Sequence, residues 1–190
     1  MQNIERIFAV GKGNYLFSLR YFDGEYDHDG EHELTKHDRL WQDPEYLEDF
    51  YEKHRNDVRS QFHGRQTFIH FIQRTHQDSF EMIKALSEAA DDDDPTRLNA
   101  LFRPLDNRPH PKQNYEQLKA KGLQPKSWLR LYALQTRDDK IYIIGGAIKL
   151  VHRMDEREHL RTELARLISV RKELSAHIRE GRLGELILPT

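Results

Sequence analysis

Four side chains near the middle of the chain have the types and the spacing for chemistry on phosphates: Arg130, Lys149, His152 and Arg153. A guanidinium binds a phosphate through two parallel hydrogen bonds, and an ammonium adds a point charge. Histidine is the side chain whose ordinary pKa lies near neutrality, so it can transfer a proton there. Together these groups are suited to bind a phosphodiester, to stabilise negative charge on it and to act as acid or base.

Two predicted strands position the first two of these groups. Residues 128–136 alternate, with small and leucine side chains on one face and with Arg130 on the other, and an acidic turn separates them from a second strand, 140–150. If paired positions sum to 277, Arg130 lies opposite Ala147 and shares a face with Lys149. We expect one face of this hairpin to pack on the core and the other to be free for a ligand.

The role of His152 is open from the sequence. Strict alternation places it on the core face with Ile148 and Leu150, unless Gly145-Gly146 forms a bulge or the strand has already ended. It is therefore either a structural histidine or the acid or base of the site. His152 and His159 are seven residues apart, but no nearby acid or thiolate completes a ligand set, so we predict no metal and no cofactor.

Charge is divided unevenly along the 190 residues. The net charge of −2 combines −10 over residues 1–96 with +8 over 97–190, and residues 97–153 hold 12 basic and 4 acidic side chains. Such a stretch favours a polyanionic ligand, although an internal dipole between the two halves explains it equally well. The chain has no Cys and no apolar run near the roughly 20 residues of a membrane helix, so we predict a cytoplasmic protein.

The remaining pattern predicts one earlier strand and several helices. Residues 14–22 alternate as a strand, and Asp43 caps a helix. The inward stripe of that helix is predicted to be Leu47, Phe50, Tyr51, His54 and Val58. Residues 67–74 form a further helical turn or two, and Asp78 with Glu81 resembles a capping box for a helix ending at Ala90.

The second half begins with a short helix, 95–102, that Asp94 caps. Residues 103–111 contain three prolines and are a connector rather than a helix or a central strand. A short basic segment, 115–121, precedes the hairpin. A long helix over 155–180 closes the chain, with an inward face predicted to be Leu160, Leu164, Leu167, Ile168, Leu174 and Ile178.

This order of elements predicts an α+β fold with an antiparallel sheet flanked by helices. Residues 1–60 are an acidic N-terminal extension with the first strand and helix, and residues 61–190 are the core. One continuous domain over 1–190 is the alternative.

Several of these segments together resemble a known family. They are Leu101-Phe-Arg-Pro-Leu105, the basic connector, the Leu-Arg-Leu-Tyr strand, the Ile-Tyr-Ile-Ile-Gly-Gly strand that runs into Lys149, and the charged last helix. Over about residues 97–175 the chain resembles the RelE/ParE superfamily of bacterial toxins, above all its HigB-like phage branch. The chain departs from that branch after the Gly-Gly pair, where Ala147-Ile148 replaces an aromatic residue.

The resemblance implies the toxin of a type II toxin–antitoxin system, a ribosome-dependent mRNA endoribonuclease that an antitoxin, of helix-turn-helix type, holds inactive. In such a reaction a 2′-hydroxyl attacks the adjacent phosphate, which requires a base, cations and a proton donor. Arg130, Lys149, His152 and Arg153 are the candidate catalytic residues. The candidate RNA-binding residues are Arg103, Arg108, Lys112 and Lys126.

A second function class fits the same sequence. The chain is then a non-catalytic module of phage or mobile-element origin that binds protein or RNA through its acidic and basic segments. The −10/+8 division also suggests that the acidic segment 1–60 shields the basic site as a built-in antitoxin would.

Overall fold

A computed structural model of the chain describes residues 3–22, 31–61, 67–105 and 115–187. The strands are β1 (Ile4–Val10), β2 (Leu16–Tyr21), β3 (Phe102–Pro104), β4 (Tyr115–Lys121), β5 (Leu129–Thr136) and β6 (Ile141–Ile148). The helices are α1 (Glu33–Gln42), α2 (Pro44–Lys53), α3 (Arg55–Gln61), α4 (Phe68–Ala90), α5 (Thr96–Leu101), α6 (Glu158–Arg179) and α7 (Leu183–Leu186), with a 3-10 turn at Met154–Glu156.

The strands form one sheet in the order β1-β2-β6-β5-β4-β3. Its pairs are antiparallel except β2 with β6, which run parallel over three residue pairs. The predicted α+β class with a sheet flanked by helices is confirmed. The sheet is mixed because the helices after β2 carry the chain to the far edge, where β3 lies. From there β4, β5 and β6 pair antiparallel in turn until β6 lies parallel to β2. Strand β1 was not predicted from the sequence, because its apolar residues do not alternate regularly with polar ones.

The predicted hairpin of β5 and β6 is confirmed, and Arg130 pairs with Ala147 as expected. The register shifts between Tyr132 and Ala133, where Ile144 is the extra residue of a bulge. The bulge therefore lies next to the predicted Gly145-Gly146 position.

Helices cover both faces of the sheet, so the prediction of one free face on this hairpin is wrong. Leu131 packs in a core on the side of α1, α2 and α4, and Tyr132 packs in a second core on the side of α6. Tyr132 is 1% exposed. Both faces of the hairpin are buried because this chain is long enough to place helices on each side of the sheet, whereas a shorter chain would leave one face in water.

The helices differ from prediction at several places. No helix was predicted where α1 lies, and the single stripe predicted from Leu47 to Val58 is divided between α2 and α3. The last helix begins at Glu158 rather than at 155, after the 3-10 turn.

Residues 67–90 form one helix, α4, that Thr67 caps, so Asp78 lies in a helix interior and caps nothing. In α6 the inward stripe is Leu160, Glu163, Leu167, Val170 and Leu174. Ile168 is 40% exposed, contrary to expectation, because it lies about 100° around the helix from Leu167. Ile178 is 43% exposed in the last turn of α6, and the predicted inward residue Leu164 is only half-buried.

Candidate cationic surface

Strand pairing brings basic residues from three strands together at one end of the sheet. Arg103 of β3 pairs with Lys119 of β4, and Lys121 of β4 pairs with Arg130 of β5. Lys149 follows the end of β6 and its backbone N–H donates to Trp128 O at 2.7 Å. We call Arg103, Lys121, Arg130 and Lys149 the cationic surface.

Neighbouring cations lower the pKa of both lysines of the cationic surface, whereas burial lowers the pKa of Arg130 against the smaller opposing effects of Tyr132 and Asp78. Lys121 has its pKa lowered first by the charge of Arg130, then by burial and by Arg103. Burial lowers the pKa of Lys149, and the charges of Arg130, Lys119 and Lys121 lower it further against a smaller opposing effect of Glu156. Like charges held this close disfavour one another's protonation, and an anion bound among them would relieve the repulsion.

Backbone carbonyl groups, rather than carboxylates, hold the two inner cations. The Arg130 guanidinium donates to Ser127 O at 2.8 Å and to Leu129 O at 2.6 Å. Lys149 Nζ donates to the carbonyl oxygens of Val151, at 2.9 Å, and His152. In the part of the chain that the structure describes, no carboxylate lies within 4.0 Å of the four cations. Their charge is therefore oriented without being neutralised by an ion pair.

Helix α4 fixes the loop that presents Arg130. Asp78, 1% exposed, accepts a hydrogen bond from Gln124 N at 3.0 Å. A Cβ on Gly122 would lie 2.2 Å from the Asp78 carboxylate, so only glycine allows this approach. The indole of Trp128 donates to Thr75 Oγ1 at 3.0 Å. The carbonyl groups that orient Arg130 are thus held by a helix on the other face of the sheet.

The other predicted site residues fall into three groups. Lys126 is exposed on the loop before β5, where its φ is 58°. Arg153 is exposed and donates two hydrogen bonds to Asp155, so its charge is already paired. Arg108 and Lys112 lie outside the described residues.

His152 is not a core residue, and its imidazole ring does not contact the cationic surface. Strand β6 ends at Ile148, which is the exception that the alternation argument left open, and His152 is exposed in the bend that follows. Its carbonyl oxygen, not its imidazole, contacts Lys149. His159 lies in α6, and its Nε2 is 3.0 Å from Ile148 O. The two histidines therefore contact different groups.

The two strands of the acidic segment 1–60 lie away from the cationic surface. Strands β1 and β2 stand at the end of the strand order opposite to β3 and β4. Residues 23–30, which include further acids, lie outside the described residues. Shielding of the basic groups by the segment therefore receives no support from the residues that are described.

Sequence patterning missed a second concentration of charge, which is buried. Glu33 and His37 of α1 meet Glu163 and Arg166 of α6 beside Gly145 of β6. We call Glu33, His37, Glu163 and Arg166 the buried charged cluster. One signal marks it in the sequence: Glu163 occupies an inward position in the series 160, 163, 167, 170 and 174, with Arg166 three residues further.

Comparison with protein-family models, with curated proteins and with solved structures finds no match to this chain. The resemblance to the RelE/ParE superfamily therefore stays a prediction that rests on short motifs. Among the described residues, no helix is both long enough and apolar enough to cross a membrane.

Proposed function

We propose that this protein binds RNA through the cationic surface. The observation that carries the proposal is the meeting of Arg103, Lys121, Arg130 and Lys149 without a carboxylate among them in the described structure. Neighbouring strands are about 4.8 Å apart, so the four cations form a compact patch that suits the closely spaced phosphates of one strand. Phosphate contacts of this kind supply affinity and strong salt dependence.

Cleavage of ribosome-bound mRNA, with control by an antitoxin, is the second part of the proposal. It is supported by the resemblance and by the proximity of Arg130 to Lys149, whose pKa is lowered first by burial and then by the charge of Arg130. Two adjacent cations are what a pentacoordinate phosphate transition state requires. The proton-transfer group in this proposal is the exposed imidazole of His152, which must turn toward Lys149 because in the structure only the carbonyl oxygen of His152 contacts that lysine.

Direct binding tests the first part. Fluorescence anisotropy with a labelled single-stranded RNA of about 20 nucleotides should give an affinity that falls steeply with salt. The double variant Lys121→Ala/Arg130→Ala should bind more weakly and should reduce the slope of log affinity against log salt by about 1.4, since two phosphate contacts on a single strand are lost.

The matched control removes the same charge elsewhere. Lys172 and Arg179 are exposed on the second half of α6, which contacts Tyr115 at the opposite end of β4 from Lys121. Lys172→Ala/Arg179→Ala should leave both the affinity and the slope near the wild-type values. Equal weakening by the two double variants would show that net charge alone attracts the RNA and would refute the proposed surface.

Cleavage is tested separately by induced expression, followed through growth and the integrity of cellular mRNA. Wild-type expression should slow growth and cut mRNA, and Lys149→Ala should abolish both effects. RNA binding in vitro without growth arrest or cleavage would refute the proposed toxin activity and would leave the proposed RNA binding intact.

A further inference from the structure

The buried charged cluster lies at an opening in the sheet. The parallel pairing of β2 with β6 extends only from Leu16 to Ser18, opposite residues 141–143. Beyond it, Tyr21 Oη donates to Ile144 O at 2.8 Å, and the next two residues of β6 are glycines. Side chains of α1 from one face and of α6 from the other meet at these glycines.

One guanidinium joins two carboxylates there. Arg166 Nη1 lies 3.3 Å from Glu33 Oε2 and 3.0 Å from Glu163 Oε1. The three side chains are 13%, 4% and 11% exposed, in the order Arg166, Glu33 and Glu163. A Cβ on Gly145 would lie 2.1 Å from Glu163 Oε2, so this carboxyl group rests directly against the backbone of β6. The contact connects the two helical layers through the sheet.

The two carboxylates differ in the number of cationic or titratable nitrogen groups close to them. Glu33 also has Lys36 Nζ at 3.1 Å and His37 Nε2 at 3.2 Å. For Glu163, Arg166 is the one cation within 4.0 Å among the residues that the structure describes. When both carboxyl groups are ionised, Glu163 must compete with Glu33 for the same guanidinium.

The pKa directions agree with this geometry. Burial raises the pKa of Glu163 to about 7, because the opposing charge of Arg166 is too weak to offset the loss of hydration. Burial would raise the pKa of Glu33 as well, but His37, Arg166 and Lys36 outweigh it and hold the value at about 2. Two carboxyl groups whose environments drive their pKa values apart are typical of sites that handle a proton.

Charged and titratable groups face Glu163 from every element that surrounds it. They are Arg166 of α6, Glu33, Lys36 and His37 of α1, Tyr21 of β2, Tyr132 of β5 and Tyr46 of α2. Burial raises the pKa of each of the three tyrosines, so they stay protonated near neutrality. Burial lowers the pKa of His37, which titrates in the opposite sense and must be separated from Glu163 in any measurement.

We propose that Glu163 is a proton-controlled latch between α1 and α6. When the carboxyl group of Glu163 is protonated, Arg166 binds Glu33 across the sheet opening without competition from Glu163. Ionisation of Glu163 places a second buried carboxylate on the same guanidinium, which loosens the junction of the two helices. The proposal is independent of RNA binding.

The sign of the pH dependence follows from linkage. A group whose pKa is higher in the folded state than in the unfolded chain binds its proton more tightly when folded. Its stabilising effect is complete below the unfolded pKa of 4.5 and is lost as pH rises through about 7. Between pH 5.5 and pH 8, these two values predict about a 30-fold increase in the unfolding equilibrium constant from Glu163 alone.

The test compares the wild-type protein with Glu163→Gln by urea unfolding at pH 5.5 and pH 8. Gln mimics the neutral carboxyl group, so the variant should lack the contribution of about 30-fold while keeping that of His37. Glu158→Gln, on an exposed residue of the same helix, is the matched control and should follow the wild type. An identical pH dependence of the wild type and Glu163→Gln would overturn the latch.

Two measurements on the wild type keep the proposal testable if Glu163→Gln fails to fold. Carbon-13 NMR of the glutamate carboxyl groups should show one that titrates near pH 7, and titration of all of them below pH 5.5 would overturn the proposal. Amide hydrogen exchange, corrected for its intrinsic pH dependence, should show that peptides from α1 and the first half of α6 lose protection between pH 6 and pH 8. Unchanged protection in both helices would equally overturn it.

Discussion

The cationic surface and the buried charged cluster both concentrate charge, but they satisfy it in opposite ways. In the buried charged cluster, Arg166 lies between Glu33 and Glu163, and each side chain is less than 15% exposed. In the cationic surface, Lys121 of β4 and Arg130 of β5 are directly paired on neighbouring strands, and Lys121 is exposed. The first region holds its counter-charges within the fold, whereas the second has basic groups that repel one another.

This difference indicates what each region is for. Buried charges cost several kcal/mol each to remove from water, so they persist only where the partner geometry compensates for that cost. Exposed charges cost little to keep, and a cluster of one sign contributes to encounter with an oppositely charged partner rather than to stability. The same type of substitution should therefore have very different effects in the two regions.

The largest effect is expected from Arg166→Met, which removes the shared cation and leaves two buried carboxylates. Breaking a buried ion pair from one side typically costs about 3–5 kcal/mol of unfolding free energy, and urea unfolding at pH 7 measures it. Arg179→Met on the exposed end of α6 is the control and should change stability by less than about 0.5 kcal/mol. A cost below about 1 kcal/mol for Arg166→Met would show that water enters the cluster and that the two regions are alike.

A smaller, pH-dependent effect is expected from Glu33→Gln. The pKa of Glu33 is about 2 in the folded protein against 4.5 in the unfolded chain, so its stabilising contribution is present above pH 4.5 and is lost as pH falls toward 2. The shift corresponds to about 3 kcal/mol at pH 7, as an upper value because Gln retains some hydrogen bonding. Unfolding curves at pH 7 and pH 3.5 should show the difference between variant and wild type shrink at the lower pH. A difference that is constant with pH would mean that Glu33 acts through packing and not through its charge.

The sequence predicted the β5–β6 hairpin better than it predicted the elements around it. The β5–β6 hairpin and the pairing of Arg130 with Ala147 follow from local alternation, which depends on neighbours along the chain. The capped start of α2 at Asp43 follows from local rules in the same way, since the Asp43 side chain accepts from Glu45 N. Structural features that depend on residues close together along the chain, such as a hairpin or a helix cap, can be predicted from the sequence.

The features that were missed depend on distant contacts. Residues 115–121 were predicted only as a basic segment, and they become a strand because β3 and β5 pair with them on either side. The inward position of Glu163 can be read from the helical period, but its partner Glu33, 130 residues earlier in the chain, cannot. The predicted free face of the hairpin was wrong for the same reason, because periodicity gives no information about a helix that packs from another part of the fold.

The smallest effect on stability is expected from Lys121→Gln in the cationic surface. Lys121 is exposed, and the repulsion from Arg130 and Arg103 that lowers its pKa disappears with its charge, so unfolding free energy should stay within about 0.5 kcal/mol and should rise rather than fall at low salt. Added salt should remove even this gain, since it screens exposed charges. RNA affinity should fall in the same variant, and the salt slope with the single-stranded RNA should decrease by about 0.7. A stability loss above about 1 kcal/mol would place Lys121 among the residues that hold the sheet together, and the contrast with Arg166 would then disappear.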